Sequence, residues 1–127
     1  MTGLVGVGVD LVEVGRLRSA MARRPGFAAR VFTDGERDSP AVGSRAIERL
    51  AARFAAKEAT MKALGVGLGA FALRDVEVMV DDEGRPSVRL HGAAIECAER
   101  LGVRSFAVSL SHTSTLASAV VVAEART

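Results

Sequence analysis

The 127-residue sequence predicts an α+β fold in which a mostly antiparallel sheet packs with a long central helix. Three observations lead there. Residues 44–64 contain no Gly or Pro, are rich in Ala, Arg, Lys and Glu, and stop at Gly65, which marks one long helix. Leu4 to Val12 alternates with the period of a strand. Near the other end, Arg104 to Ser111 and Leu116 to Ala123 read as two strands joined only by residues 112–115. With 49% hydrophobic residues and no separating linker, residues 1–127 are expected to form a single domain with its own core.

In the first strand Val5, Val7, Val9 and Leu11 point one way, and Gly6, Gly8 and Asp10 point the other, a bare face ending in a carboxylate. Glu13 to Arg24 follows as an amphipathic helix, with Val14, Leu17 and Met21 on one side, arginines elsewhere and Pro25-Gly26 as its stop. Thr33 and Glu36 have the spacing of a capping box, but Gly35 and Ser39-Pro40 restrict it to a short helical turn. The central helix spans Ser44 to Leu64. Gly65, Gly67 and Gly69 then lead to strands at Val76 to Val80 and Ser87 to Leu90, joined through Asp82-Glu83-Gly84 as a hairpin. Ala93 to Leu101 is a helix, and Cys97 within it is expected to be inert packing.

Composition excludes several classes. No apolar run approaches the roughly 18 residues of a membrane span, and the N-terminus lacks the layout of a signal peptide, so a soluble cytoplasmic protein is expected. Two His and one Cys argue against zinc. With no Trp or Tyr and five Phe, a stacking platform for single-stranded nucleic acid has few rings to use. Net charge is only +2, yet residues 1–63 hold 11 Lys+Arg against 7 Asp+Glu, whereas residues 64–127 hold 6 against 8. A basic first half suits an acidic partner or phosphate, or simply a solvated helix face.

Two carboxylates stand where apolar residues belong. On a wheel of about 100° per residue, Ile47, Ala51, Phe54 and Met61 surround Glu58, while Arg45, Arg49 and Arg53 gather on the opposite, solvent side. A buried unpaired carboxylate costs several kcal/mol, roughly, and a metal ion or cation removes that cost. The competing explanation is an i,i+4 pair of Glu58 with Lys62 at a solvated edge, on equal footing from the wheel alone. Asp10 shifts the balance because it also interrupts an apolar run, on a face cleared by Gly6 and Gly8. Oxygen-only ligation completed by water and substrate phosphate is the preference of magnesium. Lys62, one turn beyond Glu58, projects toward the same spot and can neutralise a phosphate. His112 ends a strand. A Ser-His hydrolase built from Ser109 or Ser111 with His112 is a weaker alternative, since no G-x-S-x-G elbow is present. A basic nucleic-acid-binding module is another, and it leaves both carboxylates unexplained.

The strings GVGVDLVEVGRL, RFAAKEATMKALG and SLSHT, in this order, resemble the three motifs of holo-acyl-carrier-protein synthases, and DDEGRPSVRLHG resembles the hairpin between the last two. The resemblance covers nearly the whole chain and implies the 4′-phosphopantetheinyl transferase fold. It implies a magnesium-dependent transfer of the 4′-phosphopantetheine arm from coenzyme A to a serine of apo-acyl carrier protein, in fatty acid or polyketide biosynthesis, releasing adenosine 3′,5′-bisphosphate. The nucleophile then belongs to the partner. Asp10 and Glu58 match the family's metal ligands, Lys62 its phosphate-binding lysine and His112 the histidine of its third motif. Substrate contacts are expected at Lys62, Gly65, Pro86 and His112, with Glu58 or His112 as the proton acceptor. Arg16 matches an arginine that grips the acidic carrier, and Arg23, Phe27 and Arg30 extend that surface. The family's usual homotrimer, with active sites between subunits, would suit a chain of this size and the bare Gly6 and Gly8 face.

Overall fold

The long first strand and the last two strands build the main sheet. In the computed structural model, which describes residues 2–38 and 45–126, β1 (Thr2–Glu13) pairs antiparallel with β5 (Leu116–Arg126), and β5 pairs antiparallel with β4 (Ser105–His112). The strand order is therefore β1-β5-β4. The hairpin expected around residues 82–84 forms a separate two-stranded sheet of β2 (Val76–Val80) and β3 (Pro86–Leu90). All pairings are antiparallel, in two sheets rather than one.

Helix α1 (Val14–Arg23) follows β1 directly, burying Val14 and Leu17 and exposing its arginines, as its apolar spacing predicts. Helix α2 (Phe27–Val31) was not foreseen: five residues are too few to show a period, and Gly26 starts it from a left-handed φ of 80°. Helix α3 (Asp34–Asp38) has both bonds of the capping box, Glu36 N–H to Thr33 Oγ1 at 3.1 Å and Thr33 N–H to Glu36 Oε1 at 2.9 Å. The central helix is α4 (Ala46–Ala63), closed where Gly65 adopts φ 71°. Its expected start at Ser44 and the expected break at Ser39-Pro40 lie outside the described residues. Helix α5 is Gly92–Leu101, with Cys97 free and buried.

The bare face of β1 is where α4 lands. A Cβ on Gly6 would lie 2.0 Å from the Ala63 carbonyl oxygen, and one on Gly8 would lie 1.8 Å from that of Ala59. Only glycine permits this approach. Behind α4 the inward residues of β5, Ala117, Ala119, Val121 and Ala123, are small and buried. This corrects the sequence reading, which offered the Gly6 and Gly8 face to another subunit. The uncovered face is the apolar one: Val7, Val9, Leu11 and Val120 are 56%, 60%, 66% and 42% exposed.

The wheel reading of α4 needs a second correction. Arg53, assigned to solvent, is buried, and so is Lys57, whereas Glu58 is only half-buried. The wheel assumes one buried side, but α4 is covered by β1 and β5 on one side and meets β2 on another, where Glu36 of α3 also reaches Lys57. Lys57 donates to Glu36 Oε1 at 2.7 Å and to the carbonyls of Leu73 and Val76, and Val78 N–H reaches Glu36 Oε2 at 2.8 Å. The Arg53 guanidinium donates to the Val78 carbonyl. These polar side chains are buried because β2 supplies them with acceptors.

Candidate active site

Asp10 and Glu58 meet because β1 and α4 touch at glycine. Asp10 lies two residues beyond Gly8, on the same strand face, and Glu58 precedes Ala59, whose carbonyl Gly8 approaches. Lys62, one turn further along α4, donates to Asp10 Oδ1 at 2.9 Å and to the Val9 carbonyl at 3.0 Å. The Asp10 side chain is 11% exposed and that of Lys62 is 54% exposed, so the pair sits at a surface opening. Burial, and then the charge of Asp10, push the Glu58 carboxyl above the usual carboxylate range, against the pull of Lys62. Of the two explanations left open for Glu58, the structure favours neither in its simple form, since Lys62 pairs with Asp10.

Among the described residues no group of three or more His, Cys, Asp or Glu is gathered closely enough to hold a metal unaided. Two carboxylates side by side still suit magnesium, which takes one or two protein carboxylates and fills its remaining positions with water and phosphate oxygens. The donor set is all oxygen, as that ion requires.

Glu58 lines one end of a cleft of about 820 Å³ between β1, α1, α2 and α4. Glu13, Arg16, Arg23, Arg24, Phe27 and Phe54 are among its other lining residues. Three of the four residues expected to grip an acidic partner, Arg16, Arg23 and Phe27, therefore line the same cleft as Glu58. Arg30 is not among the lining residues; its guanidinium lies beside Gly26 on α2.

His112 lies elsewhere. It lines a second cavity of about 310 Å³ with Arg49, Arg53, Val80, Asp81 and Asp82, which shares no lining residue with the first. The structure thus brings Asp10, Glu58 and Lys62 together and leaves His112 apart. Pro86, paired with Val80, stands next to that second cavity, and Gly65 is the exposed turn after Lys62. On β4 the side chains alternate, so Ser109 and Ser111 are exposed on the face opposite His112. That removes the Ser-His hydrolase. Sequence reasoning missed Arg49 and Arg53 as cavity residues; the signal was a row of arginines at i,i+4, read as solvated.

Comparison with known proteins identifies the family. The family model described as the 4′-phosphopantetheinyl transferase superfamily matches residues 6–118. The holo-[acyl-carrier-protein] synthase of Streptomyces avermitilis is 50% identical over 121 residues, covering 95% of this chain and 98% of that protein. The crystal structure of the Neisseria meningitidis holo-[acyl-carrier-protein] synthase superposes with a TM-score of 0.83 at 32% identity, over 95% of this chain and 98% of that one. A Bacillus anthracis holo-(acyl-carrier-protein) synthase in complex with CoA (3′,5′-ADP) gives 0.78 at 34% identity, over 97% and 98%. The fold and the relatives agree, and the chain belongs to the 4′-phosphopantetheinyl transferase superfamily.

Proposed function

We propose that Asp10, Glu58 and Lys62 are the centre at which this chain carries out the family's reaction, with magnesium as its metal. The chain transfers the 4′-phosphopantetheine arm of coenzyme A to a serine of apo-acyl carrier protein and is a transferase. The observation that carries the assignment of the site is the meeting of two carboxylates and a lysine, with one of the carboxylates, Glu58, lining a cleft shared with three arginines.

Asp10 and Glu58 would hold the metal, which when bound supplies positive charge to the pyrophosphate as its P–O bond breaks. Lys62, half exposed and already directed at the site, adds a second positive charge for the departing phosphate. Glu58 is the proton acceptor for the incoming serine, because it would lie beside the reacting phosphate. Arg16 and Arg23 orient the acidic carrier over the cleft, and Phe27 gives it an apolar seat. Arg30 extends this surface outside the cleft.

His112, Arg49 and Arg53, which line the second cavity together with Asp81 and Asp82, would contact the phosphates of coenzyme A, with Gly65 and Pro86 as flanking contacts. The separation of His112 from Glu58 within one chain supports a homotrimer in which each active site draws on two subunits. The uncovered apolar face of the main sheet supports it too. A single-domain carrier-modifying enzyme of this kind would work in the cytoplasm and serve fatty acid biosynthesis. No helix among the described residues is long and apolar enough to cross a membrane.

Incubation with coenzyme A, magnesium and an apo carrier protein should add one phosphopantetheine mass to the carrier, read by intact-mass spectrometry. Chelation should stop it, and Asp10→Ala should lower the rate at least about 100-fold. Metal-independent transfer, or normal transfer by the Asp10 variant, would remove these residues from the role.

A further inference from the structure

The imidazole of His112 has one ring nitrogen that substrate cannot reach. Nδ1 is fully buried and lies 3.5 Å from Glu48 Oε1, which is equally buried, and neither atom has a hydrogen-bond partner. The side chain as a whole is 24% exposed, so the accessible edge of the ring carries Nε2. His112 lines the second cavity and Glu48 does not. The carboxylate therefore stands behind the ring, on α4, one turn before the cavity residues Ala52 and Arg53.

We infer that Glu48 is the positioning residue of His112: it takes the Nδ1 proton in a hydrogen bond and so presents Nε2 to the substrate. Two buried polar atoms facing each other, each otherwise unpartnered, are satisfied together by one small closure of that gap. A neutral imidazole alone in water prefers the proton on Nε2, the opposite arrangement; a fixed acceptor behind Nδ1 reverses it. Arg49, Arg53, Asp81 and Asp82 are the other charged groups around the cavity; when the ring carries both protons, Nδ1–H still donates to Glu48 and Nε2–H faces the cavity, where it can donate to a phosphate oxygen. The inference rests on the reading that His112 touches coenzyme A, and the test keeps the two apart.

Histidine labelled with ¹⁵N gives two imidazole pairs, since the chain has only two His, and a His91→Gln variant assigns them. At a pH where the ring is neutral, His112 should carry its proton on Nδ1 in the native protein and in Glu48→Gln, which keeps an acceptor. In Glu48→Ala it should revert to mostly Nε2–H. An unchanged tautomer in Glu48→Ala would overturn the inference. In turnover, Glu48→Ala should lower kcat about 10-fold or more, and add little to the loss already caused by His112→Ala. Additive losses would also overturn it. Should His112→Ala turn over normally, the reading of His112 as a substrate contact fails, while the tautomer still judges Glu48.

Discussion

Glu77 shows how one side chain can link pieces of chain that the sequence keeps far apart. Its Oε2 accepts from the Thr33 hydroxyl at 2.7 Å, and its Oε1 pairs with His91 Nε2 at 3.0 Å. The Thr33 bond first, and His91 second, hold its carboxyl below the usual carboxylate range. A depressed carboxylate stabilises the fold above its unfolded pKa, and that stability is lost as pH falls through the folded value. Glu77→Gln should therefore cost about 1 kcal/mol at neutral pH, and urea midpoints of variant and native protein should converge as pH falls below the ordinary carboxylate range. A gap that persists there would show that packing rather than charge is lost. None of this was visible in the sequence, because a hydrogen bond between residues 33 and 77 leaves no periodic trace. Asp10 and Glu58 were visible for the opposite reason. Each breaks a local apolar pattern, and breaking a pattern is what a sequence displays.

The contact between β1 and α4 is the element-level device on which the site depends. A methyl on Gly8 would lie 1.8 Å from the Ala59 carbonyl oxygen, so Gly8→Ala must push strand and helix apart. Overpacking of this kind costs about 1–3 kcal/mol. Because Asp10 and Glu58 flank the contact, the transfer rate should fall far more than stability does, with the carrier's affinity for the Arg16 surface less affected. A rate that falls only as folded protein is lost would place the contact outside the site. The opposite side of α4 carries the Glu36–Lys57 pair, both side chains wholly buried. Burial pushes the Lys57 ammonium down and Glu36 pulls it back. Lys57→Met leaves the Glu36 carboxylate without its cation and should cost about 3–5 kcal/mol by denaturant unfolding. Glu36→Gln added to it should recover only part, since Val78 N–H and Thr33 N–H still need acceptors. The capping box located Glu36 in the sequence. Its second role could not be read, because the string RFAAKEA gives Lys57 and Glu58 adjacent places on one helix and says nothing of which neighbour each meets.

At the scale of the molecule, the three-stranded sheet is covered on one face only by the described residues. Across its open face run the rows Val7–Val122–Ala107, Val9–Val120–Ser109 and Leu11–Ser118–Ser111, apolar along β1 and turning polar toward β4. The alternation of the first strand was legible from the sequence, but which of its two faces would be buried by the chain itself was not. That depends on a helix more than thirty residues away finding the glycines, a tertiary choice that alternation alone cannot encode. A trimer closed through this face accounts for both the exposed valines and the distance of His112 from Glu58, and it makes a specific demand. Glu58→Gln and His112→Ala each disable every site when alone. Dissociated, mixed in equal amounts and allowed to reassemble, they should form sites in which an intact Glu58 from one chain meets an intact His112 from another. With random assortment about a quarter of the sites are whole, so transfer should return to about a quarter of the native rate. Val9→Glu introduced into both variants should abolish the recovery and shift the sedimenting species toward the 13.3 kDa single chain. If the mixture stays inactive although the subunits have exchanged, Glu58 and His112 act within one chain or at different steps. The open sheet face then serves some other contact.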